Sequence, residues 1–201
     1  SGKFMDYCSD TFGTGADVGP GSPTGVSFGY GAKFPAKYQN AFFISDWSYG
    51  KLYAVHLSPQ GSTYTGKIEE FASAQPFPLT DILVNPKDGA MYIAVGGRKV
   101  QSGLYRITYE GKESTAPAKS MPGGEEARKR RQALESFVQR KAKPANKNQL
   151  NKIWSSLAAQ DRGIRHAARV ALEKQPVKNW NSRLTSEKIP VIASAAMIAL
   201  A

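Results

Sequence analysis

Three observations predict a multidomain protein, β then α, with the last two blades of a β-propeller followed by an α-helical solenoid. A strand-bend-strand unit occurs twice at long spacing, its strands are apolar on both faces, and near residue 114 the chain changes from neutral and aromatic to basic and helix-patterned. The unit Asn40-Ala41-Phe42-Phe43-Ile44, a bend, then Gly50-Lys51-Leu52-Tyr53-Ala54-Val55-His56-Leu57 returns as Gly89-Ala90-Met91-Tyr92-Ile93, a bend, then Gly103-Leu104-Tyr105-Arg106-Ile107-Thr108-Tyr109. Ala41 to Ala90 is 49 residues and Tyr53 to Tyr105 is 52, near the ~40–50 of one four-stranded blade. Leu52, Ala54 and His56 fall on one face of a strand and Tyr53, Val55 and Leu57 on the other. A sheet with one wet face alternates apolar with polar, whereas a blade between two neighbours is apolar on both sides. A β-sandwich is the competing reading, with cleaner alternation and no long period.

The charge marks the boundary. Residues 1–113 carry 10 Lys+Arg against 10 Asp+Glu, and residues 114–201 carry 17 against 6, so the whole net charge of +11 sits in the second part. Eighteen of 21 aromatics and 16 of 19 glycines precede residue 114. The domains read as 1–113 partial propeller, 114–124 linker and 125–201 helical repeats. No RNP-like, zinc-finger or recognition-helix pattern accompanies the basic charge, so Lys and Arg are read as solvating helix faces and nucleic acid is not an expected partner. With Cys8 as the single cysteine, the chain has no internal disulfide, zinc cluster or Cys-x-x-Cys-His haem site. No apolar run is long enough to span a bilayer.

In chain order, residues 1–24 form a Gly-, Ser- and Pro-rich loop broken at Gly19-Pro20-Gly21-Ser22-Pro23. Strands are expected at Gly25–Tyr30, Ala41–Asp46, Lys51–Ser58 and Tyr64–Ser73, with Pro59-Gln60-Gly61 as a turn. Thr80–Asn85, Ala90–Val95 and Gly103–Tyr109 follow, with Asn85-Pro86-Lys87-Asp88-Gly89 turning the first into the second. No fourth strand follows Gly111, since Lys112–Gly124 reads as linker. That open edge is expected to be covered by chain outside these residues, and the isolated 201 residues are expected to aggregate or need a partner.

From Glu125 the period becomes helical. Leu150, Ile153, Trp154 and Leu157 share a stripe, as do Ile164, Ala167, Ala168, Ala171 and Leu172. A further pair begins at Trp180 and Leu184 and runs through Ile189–Leu200. Leu150-x-x-Ile153-Trp154-x-x-Leu157 followed by Asp161-Arg162-Gly163-Ile164-Arg165-x-Ala167-Ala168 resembles a HEAT repeat, with Asp and Arg at the tight turn. A plain helical bundle is the alternative.

Three connections converge on one rim in this scheme: Asp46-Trp47-Ser48-Tyr49-Gly50, Gln75–Thr80 leading into Asp81, and Gly96-Gly97-Arg98-Lys99-Val100-Gln101. Asp46, Trp47, Asp81 and Arg98 are the ligand-binding candidates, Arg offered to an anion and Asp to a cation or a substrate hydroxyl. An Asp at a strand end is also a turn-former, and a Trp also packs. His56, mid-strand, and His166, on a helix, read as structural. No metal-binding pair, catalytic residue or phosphate loop is defined.

The order Phe42-Phe43-Ile44-Ser45-Asp46-Trp47, Gly50-Lys51-Leu52-Tyr53, Thr80-Asp81-Ile82-Leu83-Val84-Asn85-Pro86-x-Asp88-Gly89-Ala90-Met91-Tyr92 and Gly103-Leu104-Tyr105-Arg106-Ile107 resembles the last two blades of the quinoprotein glucose/sorbosone dehydrogenase propellers. It is similar also to large planctomycete-type proteins in which such a propeller precedes HEAT-like helices and a haem-binding cytochrome c domain. The resemblance implies a six-bladed parent, secreted or periplasmic, that oxidises a sugar or alcohol and passes electrons to the haem. Its partners are then the rest of the parent polypeptide. A non-catalytic module binding carbohydrate or protein is the alternative function. In that family a Lys and an Arg-x-Arg hold pyrroloquinoline quinone, and those places are taken here by Ser48, Pro78 and Thr80. Three missing cations opposite a tricarboxylate remove charge-assisted bonds of about 1.5–3 kcal/mol each.

Overall fold

The computed structural model describes residues 15–97, 99–119, 121–140 and 142–201. Two compact units divide them: a sheet unit of residues 15–58 and 64–121, and a helical unit of residues 122–201 that also takes in residues 59–63.

The sheet unit is built from seven strands. β1 (Pro23–Phe28), β2 (Phe42–Asp46), β3 (Lys51–Gln60) and β4 (Thr63–Ser73) form one antiparallel sheet in the order β1-β2-β3-β4. β5 (Leu79–Val84), β6 (Met91–Gly97) and β7 (Val100–Ile107) form a second, in the order β5-β6-β7. A single turn of helix, α1 (Ala36–Gln39), lies between β1 and β2. The turn chemistry is local. Asn85 Oδ1 accepts from the Lys87 amide at 3.0 Å, the Gly89 amide returns to the Asn85 carbonyl at 2.8 Å, and Asp88 Oδ1 accepts from the Ala90 amide at 3.0 Å. Short polar side chains that bond their own backbone two residues on make this segment a turn.

Register then decides which residues meet. Phe43 pairs with Ala54, Ser45 with Leu52, Ile82 with Ile93, and Val84 with Met91. Phe34, Phe43, Leu52, Ala54, Leu79, Ile82, Met91, Ile93 and Val95 consequently form one core, with Phe71 and Tyr38 packed at its margin. Thr24 Oγ1 donates to the Leu79 carbonyl at 2.8 Å, so β1 and β5 are joined by a polar bond as well as by packing.

The propeller-and-solenoid expectation is overturned. The described residues form two small open antiparallel sheets of four and three strands together with six α-helices, and no sheet closes; this is an α+β fold. Apolar residues on both strand faces misled, because they do not require a neighbour on each side. One face of the β5-β6-β7 sheet is buried, while Leu83 and Leu104 on the other are 54% and 73% exposed.

The helical unit follows the stripes read from the sequence, though not their expected stacking. α2 (Glu125–Glu135), α3 (Lys147–Ser156), α4 (Arg162–Glu173), α5 (Asn181–Ser186) and α6 (Pro190–Leu200) are helical. α4 packs on α2, α3 and α6 together, so it is a central helix and not one step in a row of repeats. Ile164, Ala167, Ala168, Ala171 and Leu172 are buried along it, and its alanines permit close approach on several sides. α3 begins with a reciprocal cap between Asn146 and Gln149. α4 begins at Asp161, which accepts from the Ile164 amide at 3.0 Å and from both the amide and the hydroxyl of Ser62 at 2.6 Å each. Burial pushes the Asp161 carboxyl up, but the Ser62, Ile164 and Gly163 donors outweigh it and hold the group below its ordinary value. Arg165 closes the same corner by donating to the Ala159 and Gln160 carbonyls at 2.7 and 2.8 Å.

Candidate functional site

At one end of β3 the chain bends through residues 46–50, and two of the other expected connections come to it. Asp46 is 3% exposed. Its Oδ1 accepts from the amides of Ser22 at 3.0 Å, Ser48 at 2.9 Å and Tyr49 at 3.5 Å. The carboxylate is therefore spent on shaping the bend. Gly50 completes it at φ +61°, with the Ala74 carbonyl oxygen 2.5 Å from where a Cβ would stand. Left-handed backbone and close approach together restrict this position to glycine.

Trp47 projects from that bend. Its Nε1 donates to the Gly96 carbonyl at 2.9 Å, and its ring lies against Gly97, whose missing side chain leaves the space. The indole is 40% exposed and neighbouring Tyr49 is 51% exposed. A tethered, half-open aromatic ring keeps one apolar face presented to solvent at low entropic cost.

The remaining candidates divide. Asp81 is exposed at the start of β5, and its Oδ1 accepts from the Ile82 amide at 2.8 Å. It does not share donors with Asp46. Arg98 lies outside the described residues, as does Cys8. The positions that would have to hold a quinone do not fit one. Ser48 and Thr80 are uncharged, Thr80 Oγ1 already donates to the Ala94 carbonyl at 3.1 Å, and Pro78 is buried with its carbonyl accepting from the Gly96 amide at 3.0 Å.

Midway along β3, where it faces β4, lies a cluster that the sequence pattern does not single out. His56 Nε2 is 2.6 Å from Glu69 Oε2, Tyr38 OH donates to Glu69 Oε1 at 2.8 Å, and Lys37 Nζ stands 3.5 Å from Glu69 Oε2. Burial pushes the Glu69 carboxyl up, but the bonds from His56 and Tyr38 and the charge of Lys37 prevail and hold it below its usual range. The cluster opens on a cleft of about 660 Å³. His56 and Glu69 are 13 residues apart on two strands of one hairpin. The Pro59-Gln60-Gly61 turn was the signal that could have brought them together.

Among the described residues no group of three or more His, Cys, Asp or Glu could hold a metal ion, and no helix is long and apolar enough to cross a membrane. Comparison with protein-family models, curated proteins and solved structures finds no match to this chain.

Proposed function

We propose that this chain is a non-catalytic recognition module whose ligand is a carbohydrate, engaged at the bend between β2 and β3. The observation that carries the reading is Trp47: a ring fixed by its Nε1 bond to Gly96 and its seat on Gly97, with its outer part open beside the exposed Tyr49. The apolar C–H face of a pyranose is matched by a rigid aromatic surface, and sugar hydroxyls by backbone and side-chain polar groups around it. Asp46 fits a positioning role there, because its Oδ1 receives three backbone amides and so shapes the bend.

The resemblance to sugar-oxidising quinoproteins supplies a second reading, in which the same bend would be the substrate side of a secreted or periplasmic dehydrogenase. Ser48, Pro78 and Thr80 weigh against its cofactor. Titration with a panel of neutral oligosaccharides, followed by tryptophan fluorescence and by calorimetry, tests the first reading. Saturable binding that Trp47→Ala weakens at least about tenfold, a loss of about 1.4 kcal/mol, is expected. Binding indifferent to Trp47→Ala, or none across the panel, overturns it. Dye-linked sugar oxidation after addition of pyrroloquinoline quinone would instead establish the second.

A further inference from the structure

We propose that the cleft beside His56 is a binding site for a small amphipathic monocarboxylic acid. It is independent of the carbohydrate reading and lies away from the β2–β3 bend.

The walls and the polar end of the cleft differ in chemistry. Leu57, Ile68 and Met121 line it with apolar surface, whereas Lys37, Lys67, His56, Glu69 and Asn40 supply its polar groups. A volume of about 660 Å³ falls in the range of small-molecule sites, roughly 300–1,000 Å³. His56 is held there in one orientation. Its Nε2 is committed to Glu69, whose other oxygen is fixed by Tyr38, and among the described residues Nδ1 has no hydrogen-bond partner. A carboxylate bonded to one imidazole nitrogen fixes the ring orientation and leaves the other nitrogen for a ligand.

The charged side chains lining the cleft with His56 are Lys37 on α1 and Lys67 and Glu69 on β4. Two ammonium groups thus meet one carboxylate, so one further anion is favoured. Two lysines are point charges without the forked geometry that suits a phosphate, and most of the wall is apolar. One carboxylate with an aliphatic or aromatic tail matches that division.

The plainer reading is that Glu69 and His56 merely fasten α1 to the β3–β4 hairpin. Octanoate and phenylacetate, with octanamide as the uncharged comparison, separate the two when added to the full chain at about pH 7 and followed by amide and imidazole NMR. The expected result is saturable shifts at His56, Leu57 and Ile68 with the acids, and at least about tenfold weaker binding of octanamide. Lys67→Gln, on the exposed rim, is expected to weaken acid binding about threefold or more without disturbing the spectrum elsewhere. Absence of saturable shifts in the unmodified chain, equal binding of amide and acid, or full binding by folded Lys67→Gln overturns the proposal.

Discussion

Two carboxylates of the first sheet show how the same functional group acquires different roles. Asp46 is satisfied by three backbone amides that do not titrate. Glu69 is satisfied by an imidazole, a phenol and an ammonium group. The first arrangement fixes backbone shape. The second ties the carboxylate to side chains that line an open cleft. Placement on one of three converging connections, which drew attention to Asp46, is therefore a weaker guide to chemistry than the nature of the partners.

The largest effect expected from this contrast is at Asp46. Asp46→Ala orphans three amide donors at once and should cost about 3 kcal/mol, whereas Asp46→Asn retains an acceptor and should cost about 1 kcal/mol. Hydrogen exchange at Ser22, Ser48 and Tyr49 reads the change directly. If the Asn variant proves as damaging as the Ala variant, the charge of Asp46 matters and the contrast with Glu69 collapses. Gly50→Ala comes next, at about 2 kcal/mol or more, because a left-handed alanine costs about 1–2 kcal/mol before its contact with the Ala74 carbonyl is counted. Urea unfolding of the variant followed by the Trp47 amide resonance measures it, and an unchanged midpoint would mean that the bend has another accessible shape.

Glu69→Gln carries the smallest effect. The pair is a third exposed, so its contribution stays within about 1 kcal/mol. Its pH dependence is the sharper observable. The Glu69 carboxyl is held below its ordinary value in the folded chain, so its stabilising contribution is complete above the unfolded carboxyl value near ~4.3 and fades as pH falls through the folded one. The gap between the original chain and Glu69→Gln should accordingly be steady from about pH 6 down to about pH 5 and close at more acid pH. A gap that widens on acidification would reverse the assigned sign.

How much of this was legible depends on the range of the interaction concerned. The strands were legible because Ala41–Asp46, Lys51–Ser58 and Ala90–Val95 are apolar runs between turn-forming residues, and the helices because Leu150, Ile153, Trp154 and Leu157 keep a helical period. Closure of the sheets was not, since apolar residues on both faces, such as Leu83 and Leu104 opposite Ile82 and Ile93, are as compatible with an exposed face as with a sandwiched one. Central placement of α4 was hidden for a similar reason: its alanines admit neighbours on more than one side without saying how many. At the candidate sites, Asp46 and Trp47 were picked out from local sequence, but the Ser22 amide on the former and the Gly96 tether on the latter depend on contacts 24 and 49 residues apart. The His56 cluster needed α1, β3 and β4 at once, and no single stretch of sequence contains it.

Composition marks residues 112–124 as a spacer, yet part of it is firmly read by a buried side chain. Gln39, 5% exposed, donates from Nε2 to the Ala116 carbonyl at 2.9 Å and to the Thr115 carbonyl at 3.3 Å, and accepts from the Ala118 amide at 2.9 Å; Asn40 adds a bond to the Lys119 carbonyl at 3.1 Å. The side-chain amide thus takes the place that a neighbouring strand would occupy. A protease must pull several residues of extended chain into its own cleft, and residues 115–119 cannot be surrendered without breaking all these bonds. Cleavage of the folded chain by a broad-specificity protease should therefore spare this short stretch and fall first on the flanking parts of the spacer, despite a composition that looks equally vulnerable throughout.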